Sequence, residues 1–248
     1  MGTAWVAAFV LAAAFSLAAR RAGALSASGA AAAAAVGTLV AASGRVSWAA
    51  VLLFFFLSAS ALTALPGGRS RDAGGRNARQ VVANGGVAAV AAVLHLAGVP
   101  WAAGAFCGAL GAACADTWAT EVGVRYGGPP RRLFGGSASV GDSGAVSAVG
   151  TAAGVAGAVA VGFLAAAFEM APLGAVALAG VSGMLADSAL GATAQATFRC
   201  PSCAAQGEAR RCGCGQQRVA CAGIRWVDND AVNLAATSCG GLVAVLLS

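Results

Sequence analysis

The chain has 248 residues, of which 59% are hydrophobic and only 10% charged, with a mean hydropathy of +0.79. Soluble domains carry about 25% charged residues, so this composition excludes an ordinary soluble fold. The +6 net charge comes from Arg alone, since the chain has no Lys. That removes a Walker-type phosphate loop and Schiff-base chemistry, and no basic stretch carries the interleaved aromatics of a nucleic-acid binder.

Eight apolar segments follow one another, at about residues 3–19, 25–42, 48–65, 81–96, 101–120, 145–168, 171–193 and 231–247. Most approach the ~20 residues a spanning helix needs, whereas the first, fourth and last are short, so the count lies between six and eight. The expected fold is all-α, a polytopic transmembrane bundle of about eight helices forming a single multi-pass domain over residues 1–248. The many Gly and Ala residues suit close helix packing in lipid. Residues 1–21 are apolar and then basic, the reverse of a secretory signal, and read as an uncleaved first helix.

Charge supports eight. Arg20 and Arg21 follow the first segment, and Arg69, Arg71, Arg76 and Arg79 lie between the third and fourth. Arg125, Arg131 and Arg132 follow the fifth, and Arg199, Arg210, Arg211, Arg218 and Arg225 separate the last two. Only Arg45 falls in an even-numbered loop. By the positive-inside rule the odd loops are cytoplasmic or stromal, and both termini lie opposite. The acids follow suit. Asp72, Asp142, Glu208 and Asp228 sit in odd loops, and Asp116, Glu121, Asp187 and Asp230 near the inner ends of helices. Glu169 alone is outside. The single His, His95, lies in an apolar stretch and reads as structural, which leaves no His triad or multi-His metal site.

Burying an ionised acid at bilayer depth costs about 2.5–3.5 kcal/mol, so intramembrane carboxylates need a reason to be there. Asp116 and Thr120 are four apart, as are Thr117 and Glu121, so each pair shares a face. Asp116 and Glu121 are about 140° apart around the axis and border one cavity only near a helix end. Asp187, Gly191 and Gln195 form a polar stripe on the seventh helix that Gly191 leaves open for a ligand. Asp230 and Asn233 open the eighth, and Gln80 and Asn84 do the same on the fourth. Such hard oxygen donors suit Mg²⁺ shared with phosphates. The expectation is that Asp116, Asp187 and Asp230 converge on one or two such ions. The bland alternative is a set of polar groups that lock helices together.

The loop over 131–147 is rich in Gly and Ser and leads into a helix N-terminus, where free N–H groups and the dipole bind anions. Arg131 and Arg132 add charge, and Gly141 and Ser143 belong to the cradle. A flexible loop ending in a Ser or Asp N-cap is the competing reading. The last odd loop, 196–227, carries Cys200-x-x-Cys203, Cys212-x-Cys214 and Cys221. The first four suit a small structural zinc knuckle of four thiolates, and on a reducing face thiols or metal ligands are favoured over disulfides. Cys107, Cys114 and Cys239 read as packing residues.

Five pieces look familiar together: Ala-Asp-Thr-Trp-Ala-Thr-Glu-Val-Gly at 115–123, Arg-Gln-Val-Val-Ala-Asn-Gly at 79–85, Gly-Ala-Val-Ser at 144–147, Asp-Ser-Ala-Leu-Gly-Ala at 187–192 and Asp-Asn-Asp-Ala-Val-Asn at 228–233. From about Leu25 onward the chain resembles the integral-membrane family that includes plant phytyl-phosphate kinase and animal transmembrane protein nineteen. The resemblance implies a polytopic helical protein. In the plant branch it implies phosphorylation of phytyl phosphate to phytyl diphosphate for tocopherol synthesis, which in a photosynthetic eukaryote would place the chain in the plastid envelope. The expected activity is then prenyl-phosphate kinase, with CTP or ATP as donor and Mg²⁺ as cofactor. Asp116, Glu121, Asp187 and Asp230 would share catalysis and metal binding. Arg79, Asn84, Arg131, Arg132, Gly141, Ser143, Gln195 and Asn233 would hold phosphates. A transporter or flippase of a phosphorylated lipid or ion is the competing reading, since acids beside Gly-rich helices fit that too, but it needs polar groups on both faces. A non-catalytic scaffold leaves the acids unexplained.

Overall fold

The computed structural model of the protein describes residues 2–67, 74–136 and 138–248. Arg69, Arg71 and Asp72 of the third loop lie outside the described residues. Among those described, eight helices form the chain: α1 Gly2–Arg21, α2 Ala27–Ala41, α3 Val46–Ala64, α4 Ala78–Leu96, α5 Ala102–Tyr126, α6 Ala148–Ala167, α7 Leu173–Thr193 and α8 Asn229–Leu246. By length and composition α1, α3, α4, α6 and α7 suffice to cross a membrane. The eight expected segments are thus eight helices, with differences at their ends and in the last loop.

The fifth helix runs to Tyr126 rather than stopping near Thr120, because nothing in Glu121–Tyr126 breaks it before Gly127, Gly128 and the two prolines. Its last turn therefore carries Glu121 and Arg125 one turn apart. The sixth begins at Ala148, three residues later than expected, because Ala145–Val146 (β2) pairs antiparallel with Arg131–Arg132 (β1). The last loop also holds a small antiparallel sheet of order β4-β3-β5, from Thr197–Arg199 (β3), Gln206–Gly207 (β4) and Val219–Ala222 (β5).

Every even helix opens on a polar side chain that caps its free N–H groups. Ser26 Oγ accepts from Gly29 N at 3.1 Å, Ser147 Oγ from Gly150 N at 3.1 Å and Asp228 Oδ1 from Ala231 N at 3.1 Å. Asn77 and Gln80 cap α4 reciprocally, as a capping box. All four caps lie at the end of the bundle that carries the odd loops, and those loops hold on to one another. Arg76 exchanges backbone hydrogen bonds with Ala24 and Ser26. Arg125 Nη2 donates to Leu65 O at 2.7 Å. Ser143 Oγ donates to Glu208 Oε1, and Arg79 pairs with Asp228. The alternation of Arg along the sequence is therefore matched by one end of the bundle in space.

α5 is the central helix and packs on α3, α4, α6, α7 and α8, while α1 leans on α2 at the periphery. Residues 104–115 of α5 are all buried. Glycines make this possible. A Cβ on Gly240 of α8 would lie 2.6 Å from Gly108 O, and one on Gly108 would strike Gly240 O and Ala244 Cβ, so the two backbones touch directly. At the opposite end from the caps, Trp48 stacks on His95 with centroids 4.7 Å apart and on Phe106 at 4.4 Å. His95 is a packing residue there, as its apolar surroundings in the sequence indicate.

Gly108→Ala or Gly240→Ala is expected to destabilise the bundle by about 1–3 kcal/mol through overpacking. Gly174→Ala, on a helix position with nothing within 4 Å of the added methyl, should be neutral or stabilising by up to about 1 kcal/mol. Thermal unfolding in detergent, followed by circular dichroism, checks the contrast.

Candidate functional site

Two adjoining cavities open at the capped end. The inner one, of ≈ 200 Å³, is walled by Asp116, Thr117, Thr120 and Glu121 of α5, Asp187 and Ser188 of α7, Gln80 and Asn84 of α4, Gly150 and Thr151 of α6, and Asn229 and Asn233 of α8. The outer one, of ≈ 800 Å³, is walled largely by the 196–227 loop, with Arg132, Asp228 and Asp230. Gln80, Gly141, Asp142, Ser143, Gln195, Glu208 and Asn229 line both.

The chain builds this site by alternation. Because even helices start at the odd-loop end, α4, α6 and α8 all bring their N-terminal turns to the inner cavity. Each carries roughly half a positive charge there, with backbone donors to match. Facing them are Asp116 and Asp187, from within α5 and α7 rather than from helix ends. The result is an acidic cavity floored by carboxylates and rimmed by helix N-termini, suited to a phosphate group together with a divalent cation.

The predicted residues divide. Asp116, Glu121, Asp187, Asn84 and Asn233 line the inner cavity, and Arg132 and Asp230 the outer one. Gly141, Ser143 and Gln195 line both. Arg79 and Arg131 line neither. Arg79 hydrogen-bonds Asp228 and sits 3.4 Å from Asp230 Oδ2. Arg131 is exposed on the β1–β2 ribbon. Of the three acids expected to converge, Asp116 and Asp187 line the inner cavity and Asp230 the adjoining outer one beside Arg79, with Asn229 and Asn233 representing α8 in the inner cavity. Among the described residues, no three carboxylates bring ligand atoms together. A Mg²⁺ ion here would be held by Asp116 and Asp187 with substrate oxygens, which matches its habit of taking one or two carboxylates plus phosphates.

Glu121 is engaged elsewhere. Its Oε1 accepts from Thr63 Oγ1 at 2.8 Å and its Oε2 from Arg125 Nη1. The Arg125 side chain is only 3% exposed and also donates to the carbonyls of Thr63 and Leu65. The pair is a clamp that fastens the end of α3 to the end of α5, so we assign Glu121 to structure. The seventh-helix stripe is also corrected. α7 ends at Thr193, and Gln195 leaves it to bridge Ile224. The room beside Gly191 is filled by the backbone of Gly144. Gln195 nevertheless faces both cavities. It is 5% exposed, and its Nε2 has no hydrogen-bond partner among the described residues.

The loop cradle is partly occupied by its own side chains. Asp142 Oδ2 accepts from Ser139 N at 2.9 Å, which gives this acid a turn-forming role, and Ser143 is tied to Glu208. Arg76, Ser188, Glu208 and Asn229 join the site without having been singled out in the sequence. Arg76 lines the inner cavity, and its guanidinium donates to Ser60 Oγ at 2.9 Å and Thr63 Oγ1 at 3.1 Å. Its place just before the α4 cap was the available signal.

The Cys-rich loop gathers Cys200, Cys203, Cys212 and Cys214, whose sulfurs all lie within 4.8 Å of one another. The backbone N–H of Cys203 leads in lowering the Cys200 thiol, and that of Cys214 leads in bringing Cys212 down to about 6. Cys221 stands apart and donates to Thr197 O at 3.3 Å.

Residues 10–241 match the family described as integral membrane protein DUF92. The chain belongs to that family. It is an integral, multi-pass membrane protein. An uncharacterized membrane protein of Methanocaldococcus jannaschii is 28% identical over 179 residues, which cover 69% of this chain and 62% of that relative. The chain therefore spans less than two thirds of the relative's length. No solved structure matches the chain.

Glu121→Gln is expected to lower stability by about 3 kcal/mol, because it leaves the buried Arg125 without its counter-charge. Asp116→Asn should cost little or nothing, since neutralising an intramembrane acid lowers its burial cost. Unfolding of both variants in the same detergent tests this division between a clamp and a site.

Proposed function

We propose that this protein is a membrane prenyl-phosphate kinase that transfers a phosphoryl group from a nucleoside triphosphate, CTP or ATP, to a prenyl monophosphate such as phytyl phosphate. The observation that carries this reading is the inner cavity itself, where Asp116 and Asp187 face three helix N-termini at the end of the bundle that carries the Arg-rich loops. Phosphoryl transfer demands positioning and charge neutralisation more than covalent chemistry. That is what such a cavity supplies. The prenyl tail would remain in lipid and its phosphate enter the inner cavity. The triphosphate would occupy the larger outer cavity, where Arg132, Arg210, Arg218 and Arg225 offer positive charge.

In the reaction a phosphate oxygen of the acceptor forms a bond to the γ-phosphorus as the bond to the β,γ-bridging oxygen breaks. The nucleoside diphosphate leaves with that electron pair. The nucleophile is already anionic, so no dedicated base is required. Bound Mg²⁺ would neutralise charge on the transferring group. Asp116 and Asp187 would hold that ion, and the N-terminal turns of α6 and α8 would steady the acceptor phosphate. Gln195 Nε2, buried and uncommitted, would donate to a phosphate oxygen at the junction of the two cavities. The outward-facing end of the bundle carries few polar groups, which argues against transport.

A kinase assay on purified protein, offering phytyl, geranylgeranyl and farnesyl monophosphates with CTP or ATP, tests the proposal. Asp116→Asn should cut turnover at least about a hundredfold, roughly 2.7 kcal/mol in barrier. Asp187→Asn should behave alike, and the double variant should be little worse, because both act on one ion. Gln195→Leu should cost about tenfold or more, the worth of a hydrogen bond to a charged group. Wild-type protein that makes no diphosphate from any of these acceptors, yet moves one across liposomes, overturns the kinase in favour of a transporter.

A further inference from the structure

The kinase reading makes no use of the cysteines of the α7–α8 loop, and they form the most specific ligand set in the molecule. Cys200 Sγ lies 3.6 Å from Cys214 Sγ, and Cys203 Sγ lies 3.5 Å from Cys212 and 3.9 Å from Cys214. Four thiolates at about 2.3 Å from a tetrahedral zinc stand about 3.8 Å from one another. Cys203 approaches both members of the second pair, so the four form one set rather than two couples.

Each pair sits in a tight turn. Cys200 N donates to Ala205 O at 2.9 Å, and Ala204 N donates back to Cys200 O at 3.0 Å. In the second turn Cys212 N donates to Gln216 O and Gly215 N to Cys212 O, both at 2.9 Å. Each turn closes through a left-handed residue, Ala204 at φ 59° and Gly215 at φ 88°. Such turns expose backbone N–H groups toward the sulfurs.

The loop also lacks another means of holding its shape. Within residues 196–227 the only buried apolar residues are Ala196, Phe198, Cys200 and Cys212. Units of fewer than about 40 residues seldom fold on such a core without a metal or disulfide. Four thiolates on a divalent ion leave a net negative charge, and the same loop carries Arg199, Arg210, Arg211, Arg218 and Arg225 to offset it.

We propose that Cys200, Cys203, Cys212 and Cys214 bind one structural zinc ion, which fixes the 196–227 loop as a cap over the outer cavity. The cap's cavity wall is built from residues that flank these ligands. Phe198 lies two residues before Cys200, and Arg210 lies two before Cys212 with its guanidinium over the Phe198 ring at 5.3 Å. Glu208, held by Ser143, fastens the cap to the α5–α6 loop. This inference does not rest on the kinase reading, and its test involves no turnover.

Full-length protein purified in detergent should contain one zinc per chain by elemental mass spectrometry. The double variant Cys200→Ser/Cys212→Ser should contain less than about a tenth of that. Exchange with Co²⁺ should give the visible d–d and thiolate charge-transfer bands of a tetrahedral all-sulfur site. Releasing the metal from wild type with a mercurial should speed trypsin cleavage at Arg210–Arg211 at least tenfold while the helical circular dichroism is retained. That arm keeps the test alive if the double variant fails to insert. A metal-free wild type, equimolar iron, a mass showing disulfides among these cysteines, or zinc retained by the double variant overturns the site. Metal release without any change in cleavage overturns the cap.

Discussion

A bilayer gives helices no hydrophobic reason to prefer one another over lipid, so association rests on close van der Waals contact between narrow surfaces. α5 meets that condition on nearly every side. Its Gly108 abuts Gly240 of α8, a Cβ on Gly111 would stand 3.3 Å from Val176 O of α7, and a Cβ on Gly157 of α6 would stand 3.2 Å from Cys114 O. Five neighbours can then surround one helix, and the first polar residue beyond its buried stretch, Asp116, emerges where four of them meet. A bulkier α5 would spread the bundle and separate Asp116 from Asp187.

Electrostatics then explains why this meeting point tolerates acids. Three helix N-termini at about half a charge each supply roughly +1.5 to the inner cavity, with Arg76 beside them. Against this stand the carboxylates of Asp116 and Asp187 in the cavity wall. With Asp142 and Glu208, which also line the inner cavity, the carboxylates outweigh the helix ends, so the cavity is acidic. Glu121 and Arg125 form a separate neutral pair.

The bundle was legible because its signals are local. Apolar length marks the helices, to within about six residues of their observed ends, and the Arg positions mark the loops that gather at one end of the bundle. The assignments that failed needed contacts between distant segments. Arg76 and Arg79 fall between the same two apolar segments and look equivalent in sequence, although Arg79 belongs to the first turn of α4. Only Arg76 is pinned to the α1–α2 loop by its backbone, which turns its side chain into the cavity, while Arg79 is drawn to Asp228 at 149 residues' separation. Glu121 seemed a site acid because its partner, Arg125, was placed beyond the end of the helix. The strands are two to four residues long, too short for any alternation to register.

Gln195 shows how the membrane part and the aqueous cap are joined. Its backbone N donates to Leu190 O at 3.0 Å, closing the end of α7. Its neighbour Ala194 accepts from Ile224 N at 2.8 Å, so the residues after β5 are fastened to the same turn. Gly223, at φ 74°, lets that strand end lie directly against Gln195 O, where a Cβ would collide. The side chain is thereby fixed from both directions, once by the helix and once by the cap, and points to the space the two cavities share. A displacement of the cap relative to α7 would have to pass through this residue. This buried amide donor is thus placed where the order of the Cys-rich loop and the geometry of the intramembrane acids are mechanically the same problem.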